Sequence, residues 1–228
     1  KAHNGNAGRR LRVSSADRAK TGPLPCFCQR AFPPMIQDRA AGFRFVLRDA
    51  TGAAHQRLDE AAGRFDLGRR DDYRRFLVWH GAIVPGLETH MAANGIERIV
   101  ADWAERKRTA ALLSDLGALG VSGPGQADLQ LQSGRGALFG MAYVLEGSRL
   151  GSAMLVRRVD PALRGAATCY LDHGAGLKLW PRFLDILNTA GLSGAEQQAA
   201  IDAANQVFML FERELLAHFE PDGAAPGQ

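Results

Sequence analysis

The segment GMAYVLEGSRLGSAML, residues 140–155, is apolar enough to form a buried helix, yet it carries glycine at positions 140, 147 and 151. A glycine inside a helix costs about 1 kcal/mol relative to alanine, so three of them need a reason. Gly147 and Gly151 are four residues apart and therefore share one helix face. A face without side chains lets a flat partner approach the backbone closely, and it lets the helix bend. Tight helix–helix packing is the alternative explanation for the same glycines.

Helical periodicity extends through most of the remaining chain. Apolar residues recur at spacings of three and four in segments 43–62, 71–93, 96–119, 135–158 and 177–190, and again after Ser193. Ser193 and Glu196 have the spacing of a capping box at the start of the last helix. Segment 161–176 is predicted to be short and irregular. Since no segment alternates with period two, the sequence predicts an all-α, single-domain, multi-helix fold of about seven helices.

The predicted domain occupies residues 42–220, between an irregular basic N-terminal arm (1–41) and a flexible tail (221–228). Residues 1–48 contain ten Lys or Arg and two Asp or Glu, whereas residues 49–228 contain 18 basic and 22 acidic residues. The total charge of +4 therefore comes from the N-terminal part. Because residues 49–228 are mildly acidic, we expect no nucleic-acid partner.

The apolar segments and the cysteines restrict the class of protein further. No run approaches the ~20 apolar residues of a membrane span, so we expect no membrane partner. Cys26, Cys28 and Cys169 provide neither a disulfide framework nor a four-ligand zinc set. A reducing, cytoplasmic location fits this cysteine usage.

His55 is the most informative single residue of the predicted helix 43–62. A neutral histidine that ligates iron needs its other ring N–H held by an acceptor, and a carboxylate at i+4, here Asp59, is well placed to do that. Arg48, seven residues before His55, lies two turns away on nearly the same face and could reach an anionic group of the same ligand. The alternative is a surface histidine with an Asp partner, worth a few tenths of a kcal/mol.

Three other kinds of site lack their sequence signature. A helical di-iron site needs Glu-x-x-His pairs, whereas Glu88 and His90 are too close and Glu214 and His218 are one residue too far apart. There is no glycine-rich loop between a strand and a helix for a nucleotide, and no Gly-x-Ser-x-Gly for a serine nucleophile.

Two segments taken together resemble the haem oxygenase family. LRDATGAAHQRLD (47–59) resembles the proximal helix, and YVLEGSRLG (143–151) resembles the distal helix in the Glu-Gly-Ser-x-Leu-Gly form of bacterial members, including those associated with bacteriophytochromes. Their order and their separation of about ninety residues both fit the family. The resemblance covers about residues 43–219.

The resemblance implies roles for particular residues. His55 is the implied proximal ligand of haem iron, with Asp59 as its partner. Gly147, Ser148 and Gly151 are the implied catalytic residues, with the glycines letting the helix backbone lie against the haem face. The remaining implied contacts are with the haem propionates, for Arg48, Lys178 and Arg182, and with the haem pocket, for Tyr143 and Phe208.

The resemblance also implies the reaction. Haem, iron protoporphyrin IX, would be both cofactor and substrate, and would be cleaved with O2 to biliverdin, CO and ferrous iron. Electrons would come from an external reductase or a ferredoxin-type donor, and a bacteriophytochrome would be a candidate recipient of biliverdin. Ser148 departs from many animal-type members, which carry an Asp that orders water there. A non-catalytic haem carrier or sensor, and a helical interaction module without a cofactor, remain alternatives.

Overall fold

The computed structural model of the chain describes residues 42–219, with backbone alone for the last two. Within this range the structure consists of helices and turns without a β-strand, which confirms the predicted all-α class. The predicted arm 1–41 and tail 221–228 lie outside the described residues. The α-helices are α1 (Phe43–Ala62), α2 (Arg70–Ala93), α3 (Trp103–Arg106), α4 (Thr109–Ala118), α5 (Arg135–Gly147), α6 (Arg149–Leu155), α7 (Cys169–Asp172), α8 (Leu179–Thr189) and α9 (Gly194–Phe219), with 3-10 turns at Ile96–Arg98 and Val156–Arg158.

The long helix α9 packs against both α1 and α5. Against α5 the two backbones are in direct contact, because a Cβ atom added to Gly136 or Gly140 would overlap the backbone of Glu196 or Ala200, respectively. Small side chains on α9 permit this approach. The packing explanation is therefore correct for Gly140, the first glycine of the segment that predicts the fold.

The predicted capping box at the start of α9 is confirmed. The Ser193 N–H donates to Glu196 Oε2 at 2.9 Å, and the Glu196 N–H donates to Ser193 Oγ at 3.3 Å. The pair satisfies two of the backbone donors that a helix start leaves without partners. The first turn of α9 is thus stabilised by groups that are adjacent in the sequence.

Helix α2 carries the aromatic side of the core. Trp79 Nε1 donates to the Phe211 carbonyl of α9 at 2.9 Å. His80 Nδ1 lies 2.9 Å from the Phe76 carbonyl oxygen, and the His80 ring packs between Phe76, Trp79 and Tyr170. Burial lowers the pKa of His80 to about 3, so the side chain is a neutral core histidine at neutral pH.

The predicted continuous helix 96–119 is wrong, because the chain forms a 3-10 turn and then the two helices α3 and α4. The buried Glu88 carboxylate of α2 explains where α4 begins. It accepts the N–H groups of Arg108 at 2.7 Å and Thr109 at 3.1 Å, and the Thr109 hydroxyl at 2.6 Å. This carboxylate supplies acceptors at a helix start, where backbone N–H groups lack intrahelical partners.

Together with the division of segment 96–119, two smaller differences between the predicted and the observed helices explain why the described residues form nine α-helices and not about seven. The predicted irregular segment 161–176 contains the single turn α7. The predicted helix 135–158 is interrupted at Ser148 and ends in a 3-10 turn. None of the helices between residues 42 and 219 is both long and apolar enough to cross a membrane.

Candidate functional site

His55 and Asp59 are in contact on α1. The Nδ1 atom of His55 lies 3.0 Å from Asp59 Oδ2, and about a third of each side chain is exposed, 31% and 32% respectively. The Asp59 Oδ2 atom itself is buried and accepts no hydrogen bond of regular geometry from the described residues. The predicted pairing of His55 with Asp59 is therefore present. Asp59 contacts Nδ1, one of the two ring nitrogens, and Nε2 is the other.

Phe208 of α9 contacts the other side of the histidine. The two ring centroids are 5.3 Å apart, with the rings inclined at 63° in an edge-to-face arrangement. Such aromatic contacts restrict the orientation of a ring in addition to burying its surface. Phe208 is itself buried, so α9 provides a fixed support for the position of His55.

The packing register places the end of α5 at the height of this histidine. Gly136 and Gly140 meet Glu196 and Ala200, so α5 and α9 run parallel with an offset of 60 residues. The same offset, continued along two helices of equal rise, brings position 148 level with position 208. Because Phe208 contacts His55, the Gly147–Ser148 junction lies at the height of the histidine.

The helix break occurs at this junction. The Ser148 N–H still donates to the Val144 carbonyl at 3.0 Å, whereas the Gly151 N–H donates to the Ser148 carbonyl at 3.1 Å, three residues back. A tighter turn of this kind interrupts the α-helical ladder. The glycine-bearing helix is thus interrupted at Ser148, between Gly147 and Gly151.

Gly147 differs from Gly140 in its surroundings. A Cβ atom at Gly147 would lie 3.6 Å from Cζ3 of Trp180, an ordinary van der Waals distance. Helix packing among the described residues therefore does not require glycine at this position. Met154, seven residues later and on the same helix face, is 55% exposed. The face combines a missing side chain with exposed apolar surface, which suits a flat apolar ligand.

Arg108 holds the side chain of Ser148. Its Nη2 atom donates to Ser148 Oγ at 2.9 Å and to the Leu145 carbonyl at 3.1 Å, and the Ser148 hydroxyl in turn donates to the same carbonyl at 2.8 Å. Arg108 is buried, and its guanidinium lies 5.0 Å from the ring centroid of Tyr170. The sequence offers no sign of this contact, because the two residues are forty positions apart.

A second network of buried arginines surrounds Glu146, two residues before the helix break at Ser148. Glu146 accepts from Arg106 Nη1 at 2.5 Å and from Arg149 Nε at 3.0 Å. Arg106 also donates to both carboxylate oxygens of Asp102, at 2.6 and 2.9 Å, and these hydrogen bonds lower the pKa of Asp102 below its usual range. The network joins α3, α5 and α6. The sequence interpretation did not identify Arg106, whose helix lies far from the distal segment.

The predicted propionate ligands are distributed unevenly. Arg48 is exposed, and its Nη2 atom lies 2.8 Å from Asp49 Oδ1. Lys178 is exposed immediately before α8. Arg182 instead lies 3.2 Å from Asp102 Oδ2 and so joins the network around Arg106. Arg182 therefore has a protein partner, Asp102, which lies directly before α3.

Tyr143 and Gly151 occupy the same helix face as Gly147. Tyr143 is half-buried, with its ring centroid 5.7 Å from that of Trp180. Gly151 is partly accessible on α6. The residues predicted on the distal side therefore follow one another along one face, on both sides of the break at Ser148.

An all-α fold with a carboxylate-paired histidine at the height of a glycine-bearing helix break is typical of a helical haem protein with one axial histidine. The chain belongs to the haem oxygenase family, whose model, Heme oxygenase, matches residues 42–217. Haem is accordingly both cofactor and substrate, O2 is the second substrate, and the products are biliverdin, CO and ferrous iron.

Two bacterial haem oxygenases are similar in sequence. The chain is 30% identical over 155 residues to a heme oxygenase of Xanthomonas campestris pv. campestris, covering 66% of this chain and 93% of the relative. It is also 30% identical over 173 residues to heme oxygenase PigA of Pseudomonas aeruginosa, covering 71% of this chain and 85% of the relative.

Solved haem oxygenase structures share the fold. The NO- and CO-bound heme oxygenase from Neisseria meningitidis superimposes with a TM-score of 0.70 at 22% identity, covering 82% of this chain and all of the other. The heme oxygenase from Leptospira interrogans gives a TM-score of 0.61 at 18% identity, covering 76% and 98% of the two chains. At these identities the likeness concerns the fold.

Proposed function

We propose that this haem oxygenase binds haem between α1 and the α5–α6 break, with His55 as the axial ligand. The observation that carries the proposal is the contact between His55 Nδ1 and Asp59 Oδ2 at 3.0 Å. A carboxylate on one ring nitrogen selects the tautomer in which the other nitrogen, Nε2, carries the lone pair for a metal. Phe208 supports this orientation from the other side of the ring.

The side chains present fit a flat, apolar, dianionic ligand. Gly147 and Gly151 leave the helix backbone accessible on the face that also carries the exposed Met154. Arg48 and Lys178, both exposed, supply cationic groups for the propionates. Arg182 would contribute only after exchanging its contact with Asp102.

The glycine face has a catalytic consequence. A bound haem supplies the iron that activates O2 and the porphyrin carbon that is oxidised. Because Gly147 and Gly151 present no side chain, they would leave room for O2 beside the helix backbone. Tyr143, one turn before Gly147, would border this space.

Ser148 and Arg108 together would organise proton delivery. The Ser148 hydroxyl hydrogen is directed to the Leu145 carbonyl, and Arg108 donates to the hydroxyl oxygen. Both groups are fixed in position, and each retains capacity to bind a water molecule. Ser148 lacks the negative charge of an aspartate and the Arg108 guanidinium beside it is positive, so the pair would order water by hydrogen bonding alone.

We also propose an electron donor, a recipient of biliverdin and a location. The reaction needs an electron donor, and we assign that role to an external reductase or a ferredoxin-type protein. A bacteriophytochrome is the proposed recipient of biliverdin, by the resemblance of the Glu-Gly-Ser-x-Leu-Gly segment to bacteriophytochrome-associated members. The proposed location is the cytoplasm.

A haemin titration tests the proposal. We expect a Soret band with one haem per chain, followed by its decay to the biliverdin spectrum when ascorbate is added. The His55→Ala variant should change the Soret band, whereas the His90→Ala control should not, because His90 Nε2 contacts the Gln132 carbonyl away from α1. A Soret band that persists with ascorbate would indicate a haem carrier or sensor instead.

A further inference from the structure

Two segments of the chain concentrate arginine. Residues 63–75 and 156–165 together contain eight Arg and four Asp, a net charge of +4, whereas the other residues of 42–219 contain twelve basic and sixteen acidic residues, a net charge of −4. The described part of the chain is thus neutral in total but strongly polarised. We name the following residues the arginine surface: Arg64, Arg69, Arg70, Arg74, Arg75, Arg157, Arg158 and Arg164.

The fold brings the two segments to one end of the molecule. Arg158 Nη2 donates to the Phe65 carbonyl at 3.3 Å. The Tyr73 hydroxyl donates to the Ala167 carbonyl at 2.7 Å. Seven of the eight arginines are exposed and Arg75 is partly exposed. The surface is therefore produced by tertiary packing of segments that are about ninety residues apart.

Three of the four aspartates in these segments accept hydrogen bonds from nearby backbone N–H groups. Asp66 Oδ1 accepts the Gly68 N–H at 3.1 Å, Asp72 Oδ2 accepts the Asp66 N–H at 3.2 Å, and Asp160 Oδ1 accepts the Ala162 N–H at 2.9 Å. They act as turn and helix-start acceptors. Four arginines form neither an ion pair nor a side-chain hydrogen bond with the described residues: Arg69, Arg70, Arg74 and Arg157. Arg158 and Arg164 donate only to backbone carbonyls.

The character of the surface favours a protein partner. None of the large hydrophobic side chains exposed in the described range belongs to either segment. The surface therefore lacks the apolar anchors of a membrane-binding face and the exposed aromatic groups of a single-strand nucleic-acid platform. Planar guanidinium groups pair in bidentate fashion with carboxylates. An acidic protein surface is the best chemical match.

The arginine surface follows directly after the helices of the proposed haem site. Arg64 lies two residues beyond the end of α1, which carries His55, and Arg157 lies two residues beyond the end of α6, which carries Gly151. We infer that the arginine surface is the docking site of an acidic electron-donor protein of the ferredoxin class. In each encounter a reduced iron–sulfur centre would lose one electron, and ferric haem iron would gain it. The inference rests on the proposed function.

Binding of an oxidised, acidic [2Fe–2S] ferredoxin to the haem-loaded chain tests the inference. The double variant Arg70→Glu/Arg157→Glu takes one arginine from each segment and reverses four units of charge. We expect its dissociation constant to rise about tenfold or more at low salt, with a weaker dependence on ionic strength than the native chain. The matched control Arg98→Glu/Lys107→Glu has the same charge change outside the surface and should bind with a much smaller loss.

Haem properties separate this inference from the proposed function. The double variant should retain the native Soret band and the native rate of ascorbate-driven haem decay, because ascorbate needs no docking surface. Equal losses of ferredoxin binding in both double variants would overturn the docking site while leaving the haem function intact. The docking site would also be overturned if the double variant kept its binding to ferredoxin and lost binding only to anionic phospholipid vesicles or to single-stranded DNA. Failure of every variant, and of the native chain, to bind haemin would overturn the proposed function instead.

Discussion

Arg106 and Glu146 form an ion pair from which solvent is excluded. Arg106 Nη1 lies 2.5 Å from Glu146 Oε2, and the exposed fractions of the two side chains are 0% and 1%. Charges removed from water in this way are stable only when paired and hydrogen-bonded. The pair connects α3 to the last turn of α5, directly before the helix break at Ser148. It therefore fixes the position of the end of α5.

Removing the carboxylate of this pair should destabilise the fold strongly. Glu146→Leu leaves Arg106 and Arg149 without their shared acceptor, and we expect unfolding free energy to fall by about 3 kcal/mol or more in urea titrations. The control Glu105→Leu removes an exposed carboxylate 4.0 Å from Arg182 and should change stability by less than about 0.5 kcal/mol. Similar losses in the two variants would contradict the buried-pair account.

Gly140 and Gly147 should respond oppositely to alanine. Gly140→Ala places a methyl group against the backbone of Ala200 and should cost about 1–3 kcal/mol of stability. Gly147→Ala meets only the ring of Trp180 at 3.6 Å, so stability should stay unchanged or rise by up to about 1 kcal/mol. Its ascorbate-driven haem decay should nevertheless fall about tenfold or more, because the methyl group displaces the reacting groups. Unaltered haem decay in Gly147→Ala would contradict the proposed distal face.

Asp59→Asn should weaken haem binding without removing the axial ligand. The neutral amide oxygen is a weaker acceptor for the His55 ring N–H than a carboxylate, and losses of such partners typically cost about 10- to 100-fold in metal affinity. Competition for haemin measures this loss. Glu60→Gln is the matched control, since Glu60 is exposed and accepts from Gln56 at 2.9 Å. Equal affinities of the two variants would show that Asp59 does not support the ligand.

His80 should make stability fall in mildly acidic solution. Burial lowers the pKa of His80 to about 3, and the nearby Arg108 charge acts in the same direction. Between this value and the ordinary pKa near 6.5 the unfolded chain binds a proton that the folded chain does not, so stability decreases as pH falls. The loss from pH 7 to pH 5 amounts to about 2 kcal/mol.

Denaturation of a matched variant isolates the contribution of this histidine. His80→Gln should lack the loss attributed to His80, while His90→Gln should retain it, because only His80 lies in the buried aromatic cluster. The quantity compared is the difference in unfolding free energy between pH 5 and pH 7. An identical difference in the native chain and in His80→Gln would show that other groups cause the acid sensitivity.

Local patterns were the predictable part of the site. The pairing of His55 with Asp59 follows from a spacing of four residues on one helix, and the Ser193–Glu196 capping box follows from a spacing of three. Contacts across forty residues were not predictable, such as Arg108 on Ser148 and Arg106 on Glu146. Both arginines lie in the region predicted as one continuous helix, which Glu88 of α2 divides by accepting the first N–H groups of α4.

By itself the sequence determined the helical class, most helix boundaries and the pairing of His55 with Asp59, because these depend on residues one turn apart. The tertiary structure decided what each glycine of segment 140–155 does. Gly140 and Gly147 are seven residues apart on the same helix, so the sequence places them on the same helix face. They differ because Gly140 meets the backbone of α9, whereas Gly147 meets only the edge of Trp180. Only the packing of other helices around this one distinguishes a glycine needed for helix contact from one left accessible to a ligand.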